Sequence, residues 1–241
     1  MKLKLVALAS ALLASSATFA QTAAPEPDYS YSFNVGGVTD YRYRGLSQTR
    51  LRPAFQFGAD FSHKSGFYLG TWGSTIKWIN DAGGDADVEV DIYGGYKTTF
   101  GAFGVDVGVL RYLYPGSALP VNPDTTEVYV GGTWGPATLK YSHAVTNLFG
   151  FADSKNSYYV DLSATFDTGY WGLMLTPHVG YQKVKNTDSA SYTDWSLGIS
   201  KEFMPGLVGS LSYVSTDIDV PAPGGRNLGK SGAVLGVKYT F

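Results

Sequence analysis

The last ten residues, Gly232 to Phe241, constrain the fold more than any other stretch. Phe241, Tyr239, Val237, Leu235 and Ala233 occupy alternate positions, with Thr240, Lys238, Gly236, Val234 and Gly232 between them. Successive side chains of a β-strand point to opposite faces, so one face here is apolar and the other holds small or polar residues and Val234. The chain stops on the aromatic residue itself, and nearly every earlier strand-like segment repeats the pattern. A sheet rolled shut in lipid needs apolar side chains outward, polar ones inward and aromatics at the interfaces. It also needs a last strand that pairs with the first, so that no edge is left open. The competing reading is a C-terminal strand of a soluble sandwich. The expected fold class is therefore all-β: a transmembrane antiparallel up-and-down β-barrel whose closing strand carries Leu235, Val237, Tyr239 and Phe241 outward.

The start of the chain has the form of a secretory signal. Lys2 and Lys4 precede an apolar run, Leu5 to Ala14, that is too short to span a bilayer. Small residues at Thr18 and Ala20 favour cleavage before Gln21, with cleavage after Ala24 as the alternative. Residues 1–20 are read as signal peptide, 21–29 as a periplasmic lead-in and 30–241 as the barrel. Loss of Lys2 and Lys4 takes 18 basic residues to 16 against 20 acidic ones, so the net charge moves from −2 to −4. Neither figure points to nucleic acid. The 30 glycines, 18 tyrosines and absence of cysteine suit a hydrogen-bonded barrel with aromatic girdles and no disulfides.

Twelve strands are predicted, with cores near 30–43, 53–62, 67–78, 87–98, 103–113, 126–134, 137–146, 157–167, 170–183, 192–203, 206–216 and 232–241. A count of ten or fourteen differs from this by one hairpin. The connections alternate: long ones near 44–52, 79–86, 114–125, 147–156, 184–191 and 217–231, short ones at His63–Gly66, Thr99–Ala102, Gly135-Pro136, Thr168-Gly169 and Met204-Pro205. Short periplasmic turns and long outer loops are the habit of bacterial barrels.

Charge falls repeatedly opposite the apolar row. Phe33, Val35, Tyr41 and Tyr43 are expected to face lipid, and Asn34, Asp40, Arg42 and Arg44 the lumen. Asp60 in the second strand and Asp87, Glu89 and Asp91 in the fourth are inward by the same parity. Arg111 breaks the rule by sharing parity with Val105, Val107 and Val109; either a bulge near Gly108 shifts the register or the side chain snorkels at the outer interface. Lys201 is similar at the opposite rim, beside Phe203. A twelve-stranded lumen lies between small filled barrels and wide porins, so both a narrow water path and a self-plugged interior stay open.

The stretch Asp40-Tyr-Arg-Tyr-Arg-Gly-Leu-Ser-Gln-Thr49, followed by Pro53-Ala54 and Gly66-Phe-Tyr-Leu-Gly-Thr-Trp-Gly-Ser74, resembles the TorF family of Gram-negative outer-membrane porins. The similarity runs from about Tyr31 to Phe241. It implies a porin-like barrel and leaves the solute undefined.

Four of the six arginines, Arg42, Arg44, Arg50 and Arg52, sit in one short stretch. Arg42, Arg44 and Arg52, with Lys77, are expected to line one wall of the outer mouth. Asp87, Glu89 and Asp91, with Glu127 and Asp194, are expected to form an acidic wall, while Asp40 and Asp60 lie near the arginines. Segregated walls would carry a transverse field selective for anionic or zwitterionic solutes; charges paired as struts are the competing arrangement. Asp81, Asp85 and Asp87 could offer oxygen ligands to a hard cation, but the bidentate Glu of a calcium loop is missing. An enzyme is not expected: the histidines are scattered, there is no Gly-x-Ser-x-Gly elbow, and His178 with a lumenal serine is the one residual pairing. No cofactor is expected.

The functional expectation is a passive outer-membrane channel for small hydrophilic solutes, reached through the periplasm. Its partners would be outer-membrane lipid and lipopolysaccharide, the assembly machinery through the C-terminal strand, and small solutes. A structural or surface-interaction barrel acting through loops such as Leu148-Phe149-Gly150-Phe151 is the alternative, and an outer-membrane lipid enzyme the third.

Overall fold

A computed structural model describes residues 27–241; the signal-peptide reading of residues 1–20 lies outside the described residues. Twelve long strands form one closed antiparallel sheet: β1 (Tyr29–Val38), β2 (Ala54–His63), β3 (Phe67–Thr75), β4 (Val88–Phe100), β5 (Phe103–Leu113), β6 (Thr125–Trp134), β7 (Ala137–Ala144), β8 (Tyr158–Ala164), β9 (Leu173–Lys183), β10 (Tyr192–Met204), β11 (Leu207–Thr216) and β12 (Gly232–Thr240). Each pairs with its neighbours in sequence, and β12 returns to β1, matching Val35 to Tyr239 and Gly37 to Val237. Beyond the last ladder pair, Phe33 and Phe241 exchange both backbone hydrogen bonds at 2.9 Å. All backbone donors of the wall can thus be met within the sheet, which lipid demands.

The outside is apolar. Leu235 is 56 % exposed and Val130 47 %, with Phe33, Leu139, Leu162 and Leu197 in the same band. Soluble monomers rarely expose large contiguous apolar surface, and larger exposed patches mark interaction or membrane surfaces; the alternation read from the C-terminal strand holds around the barrel. Tyr170 and Trp171 hang exposed in the turn before β9, at the short-turn rim. That connection runs through residues 168–172 and β9 begins at Leu173, later than the sequence implied.

The β4–β5 ladder is unbroken from Val90–Leu113 to Phe100–Phe103, so no bulge redirects Arg111. Its guanidinium instead reaches Thr126 at 2.8 Å and Asp124 at 3.2 Å near the long-loop end. Lys201 keeps its outward parity, with its ammonium 5.8 Å from the Phe203 ring.

The largest departure is at β1. The stretch 30–43 does not run on as one strand: the wall strand stops at Val38. The chain then turns into the barrel. Arg42–Tyr43 pairs with Leu46–Ser47 across a two-residue turn, Arg44-Gly45, in which both residues have positive φ, 45° and 81°. Two positive φ values suit the tight hairpin turn that matches strand twist. Tyr41 and Tyr43 are consequently inside, not against lipid. Tyr41 is buried and donates to Glu89 at 2.9 Å, and Tyr43 meets the Tyr112 hydroxyl at 2.6 Å.

The other long connections also fold inward, into a cap with its own core. A short helix, α1 (Trp78–Asp81), seats Ile79 with Ile76, Tyr112 and Tyr114. Leu148 is buried with Ala144 and Val184, and Phe149 packs edge-on to Tyr43, Tyr112 and Tyr114. The Leu148–Phe151 loop is therefore mostly cap interior, because its apolar side chains find aromatic partners there.

Candidate functional site in the lumen

The inward hairpin divides the lumen. Above it, Leu46, Gln48, Trp78, Phe149, Val184 and Leu228 help to line an apolar cup of about 490 Å³ at the long-loop end. Below it, Arg42, Arg44, Lys140, Asp161, His178 and Asp194 line a polar chamber of about 490 Å³. A further cavity of about 390 Å³ shares Leu110 and Lys140 with that chamber and is lined by Asp91 and four aromatic side chains.

Arg44 spans the lumen from the tip of the hairpin. One guanidinium nitrogen donates to Gln182 Oε1 on β9 and another to Glu127 Oε2 on β6, each at 2.6 Å. Its guanidinium carbon lies 4.3 Å from the Tyr159 ring centroid. Glu127 is 1 % exposed and also accepts from Tyr112 at 3.2 Å. The fork of an arginine suits two acceptors on separate strands as the point charge of a lysine does not. Arg42 folds back on Asp40, whose other oxygen accepts from Ser47 at 2.5 Å. Gly45 presses against β10 and β11: a Cβ there would overlap Asp194 Cβ and Thr216 Cγ2.

The two walls of opposite charge are therefore not found. Arg42 and Arg44 are carried into the lumen by the hairpin and spend their charge on Asp40 and Glu127. Arg52 is exposed, in the bend between the hairpin and the start of β2 at Ala54. Lys77 is not at the top of β3, which ends at Thr75. It precedes α1 and pairs at 2.5 Å with Asp87, their side chains 46 % and 62 % exposed. The Lys77 ammonium holds the Asp87 carboxyl below its usual range. Asp81 pairs with Arg50, so two of the three loop carboxylates considered for a cation already have cationic partners. Among the described residues no cluster of three or more ligating side chains has the form of a metal site.

The structure does bring Asp60, Glu89, Asp91, Glu127 and Asp194 to the inner face. It adds a set of tyrosines that parity alone could have placed there. Tyr93 donates to Asp60 at 2.5 Å, Tyr68 to Asp106 at 2.6 Å and Tyr159 to Asp194 at 2.9 Å. Tyr93 and Tyr68 lie over Gly70 and Gly95 of the neighbouring strand, where a side chain would collide with the ring. His178 sits 2.6 Å from Asp161 and 3.6 Å from Asp194. The hydroxyl near His178 is that of Tyr159, 3.3 Å from its Nε2; among the described residues no serine hydroxyl hydrogen-bonds to His178.

Residues 22–241 match the sequence profile of the Gcw_chp family, bacterial proteins of unknown function. The chain belongs to the Gcw_chp family. A comparison with curated proteins finds no match. Among solved structures, this Gcw_chp barrel is similar to the KdgM porin, with a TM-score of 0.58 at 10 % identity over 87 % of this chain and 99 % of that one. It is similar to the NanC porin with a TM-score of 0.57 at 14 % identity, over 86 % and 98 %. The outer membrane protein Omp33 of Acinetobacter baumannii gives 0.52 at 8 %, over 88 % and 98 %. At these identities the Gcw_chp chain shares their fold.

Proposed function

We propose that this Gcw_chp protein is a porin-like channel of the Gram-negative outer membrane that passes small hydrophilic solutes by passive diffusion. The observation that carries this reading is a pair of neighbouring lumenal cavities, with Leu110 and Lys140 in the lining of both, inside a barrel whose outer face is an apolar belt. Barrels of about eight strands fill their interiors with side chains and wider ones leave an aqueous path, so cavities lined by charge in a twelve-stranded barrel favour solute passage. The TorF resemblance of residues 40–49 and 66–74 supports the same class, as do porins of like fold. One of those, the KdgM porin, has been solved with disordered oligogalacturonate. The paired state of Arg42 and Arg44 argues against a free anion-attracting wall, so the solute class is better sought among neutral or zwitterionic molecules. Lipid and lipopolysaccharide would contact the belt, and the assembly machinery would read the C-terminal strand.

Planar-bilayer recording of the purified protein tests this reading. Discrete small current steps are expected, growing when the hairpin is released. A second reading is favoured by one observation, the bridging of the lumen by Arg44: a closed barrel that acts through its cap. A silent bilayer from correctly folded, heat-modifiable protein would establish it instead.

A further inference from the structure

Seven lumenal carboxylates, Asp40, Asp60, Glu89, Asp106, Glu127, Asp161 and Asp194, each receive a hydrogen bond or ion pair from a neighbouring side chain. Asp91 receives none among the described residues. It is 8 % exposed, and its Oδ1 is buried without a partner. Glu127 Oε1, at the same end of the lumen, is likewise buried and unpartnered. A buried carboxylate without a counter-charge is costly. Lys140 lines the same cavity from β7, three strands away from Asp91, and forms no ion pair among the described residues; its ammonium rests 4.0 Å from the Tyr129 ring centroid. The nearby acids are engaged elsewhere: Asp106 with Tyr68 and Lys97, Asp161 with His178.

The strand register gives these charges an axial order. Glu89 and Asp91 lie toward the long-loop end of β4, and Glu127 toward the same end of β6. Lys97 lies toward the short-turn end of β4. It is opposite Asp106, which is opposite Gly131, which is opposite Lys140. Trp72 pairs with Asp91 across β3 and β4, and Tyr68, Tyr93 and Tyr129 stand between that level and Lys97.

From this we propose that the cavity of about 390 Å³ is a binding subsite for small zwitterions, taking the ammonium at Asp91 and the carboxylate at Lys140. A cation alone would satisfy Asp91 and be repelled by Lys140, and an anion alone would do the reverse. One molecule carrying both groups satisfies both ends, and the aromatic walls cover its methylenes and favour its ammonium face-on. The proposal rests on the channel reading and names the solute class for it.

Calorimetric titration of the full barrel in detergent with 4-aminobutyrate, butylammonium and butyrate tests it without requiring conduction. The three probes share one carbon chain and differ in charge. The zwitterion is expected to bind about tenfold more tightly than either analogue, a ratio set by one charged hydrogen bond. Asp91→Asn should abolish its advantage over butyrate, and Lys140→Gln its advantage over butylammonium. Equal binding of all three, no binding of any, or a zwitterion preference that survives both substitutions in folded protein would overturn the proposal. Zwitterion binding alongside a silent bilayer would uphold the subsite and defeat the channel. Current steps without a zwitterion preference would defeat the subsite alone.

Discussion

Arg44 and Glu127, 83 residues apart in sequence, meet at 2.6 Å across the lumen and tie the inward hairpin to the far wall. Removing one member of a buried ion pair costs about 3–5 kcal/mol, because the partner is left charged and unpaired. Arg44→Ala is therefore expected to lower the urea midpoint of the folded barrel and raise its single-channel conductance, as the hairpin lets go. Arg44→Lys should rescue little, since an ammonium does not reach Glu127 and Gln182 together. Wild-type conductance in Arg44→Ala would show that the hairpin stays in place without its latch.

Gly45 holds the hairpin from the other side. Its φ of 81° disfavours any residue with a Cβ, by about 1–2 kcal/mol, and the walls at Asp194 and Thr216 leave no room for one. Gly45→Ala should reproduce the conductance of Arg44→Ala. The double variant should lose less stability than the two single losses combined, since both act on one docking event; full additivity would contradict this.

Val130 and Gly131 are adjacent and face opposite media. Val130 stands in the lipid belt between Val107 and Tyr141, so Val130→Arg should cost about 2–4 kcal/mol when folding into bilayers is titrated with denaturant. Gly131→Ala faces the lumen, where an added Cβ meets nothing nearer than 3.8 Å. It should stay within about 0.5 kcal/mol of the parent.

Phe241 closes the seam through two backbone bonds to Phe33 at 2.9 Å and a ring stack at 6.0 Å. Its deletion should destabilise the barrel by about 2–4 kcal/mol, from two hydrogen bonds and one aromatic pair. Phe33→Ala keeps the backbone bonds and should cost less. A gel series of heat-modified against folded bands, taken across temperature, ranks the two.

The exposed Lys77–Asp87 pair supplies a pH test. The Asp87 carboxyl is held below its usual range, so whatever the pair adds to the cap is present above about pH 4, the ordinary carboxylate value. It is lost as the pH falls further. Carbon-detected NMR titration should show Asp87 returning toward the ordinary value in Lys77→Met.

Period-two alternation made the barrel legible. It gave twelve strands, the lipid-facing row at Leu235 and Val237, and the inward acids Glu89, Asp91, Glu127 and Asp194. Each of those placements depends on the residue's own parity and on the medium either side of the wall, and both are written locally. Length did not mark the end of β1, since β4 and β10 each run thirteen residues in the same wall, though Arg44-Gly45 has the form of a two-residue turn. Alternation beyond Val38 nonetheless continues through Tyr41 and Tyr43, and a strand and the arm of an inward hairpin share the same period.

The sequence by itself therefore determined the nature of the wall: alternation, the facing of most strands, closure, and a strand count good to one hairpin. Only the tertiary structure decided what fills it. Whether Arg44 lines a pore or bridges it depends on Glu127 and on Gln182, which lies 138 residues away, and on loops such as 148–151 whose apolar side chains carry no period. Such pairings are set by which surfaces meet once the sheet has closed, and local spacing along the chain holds no record of that meeting.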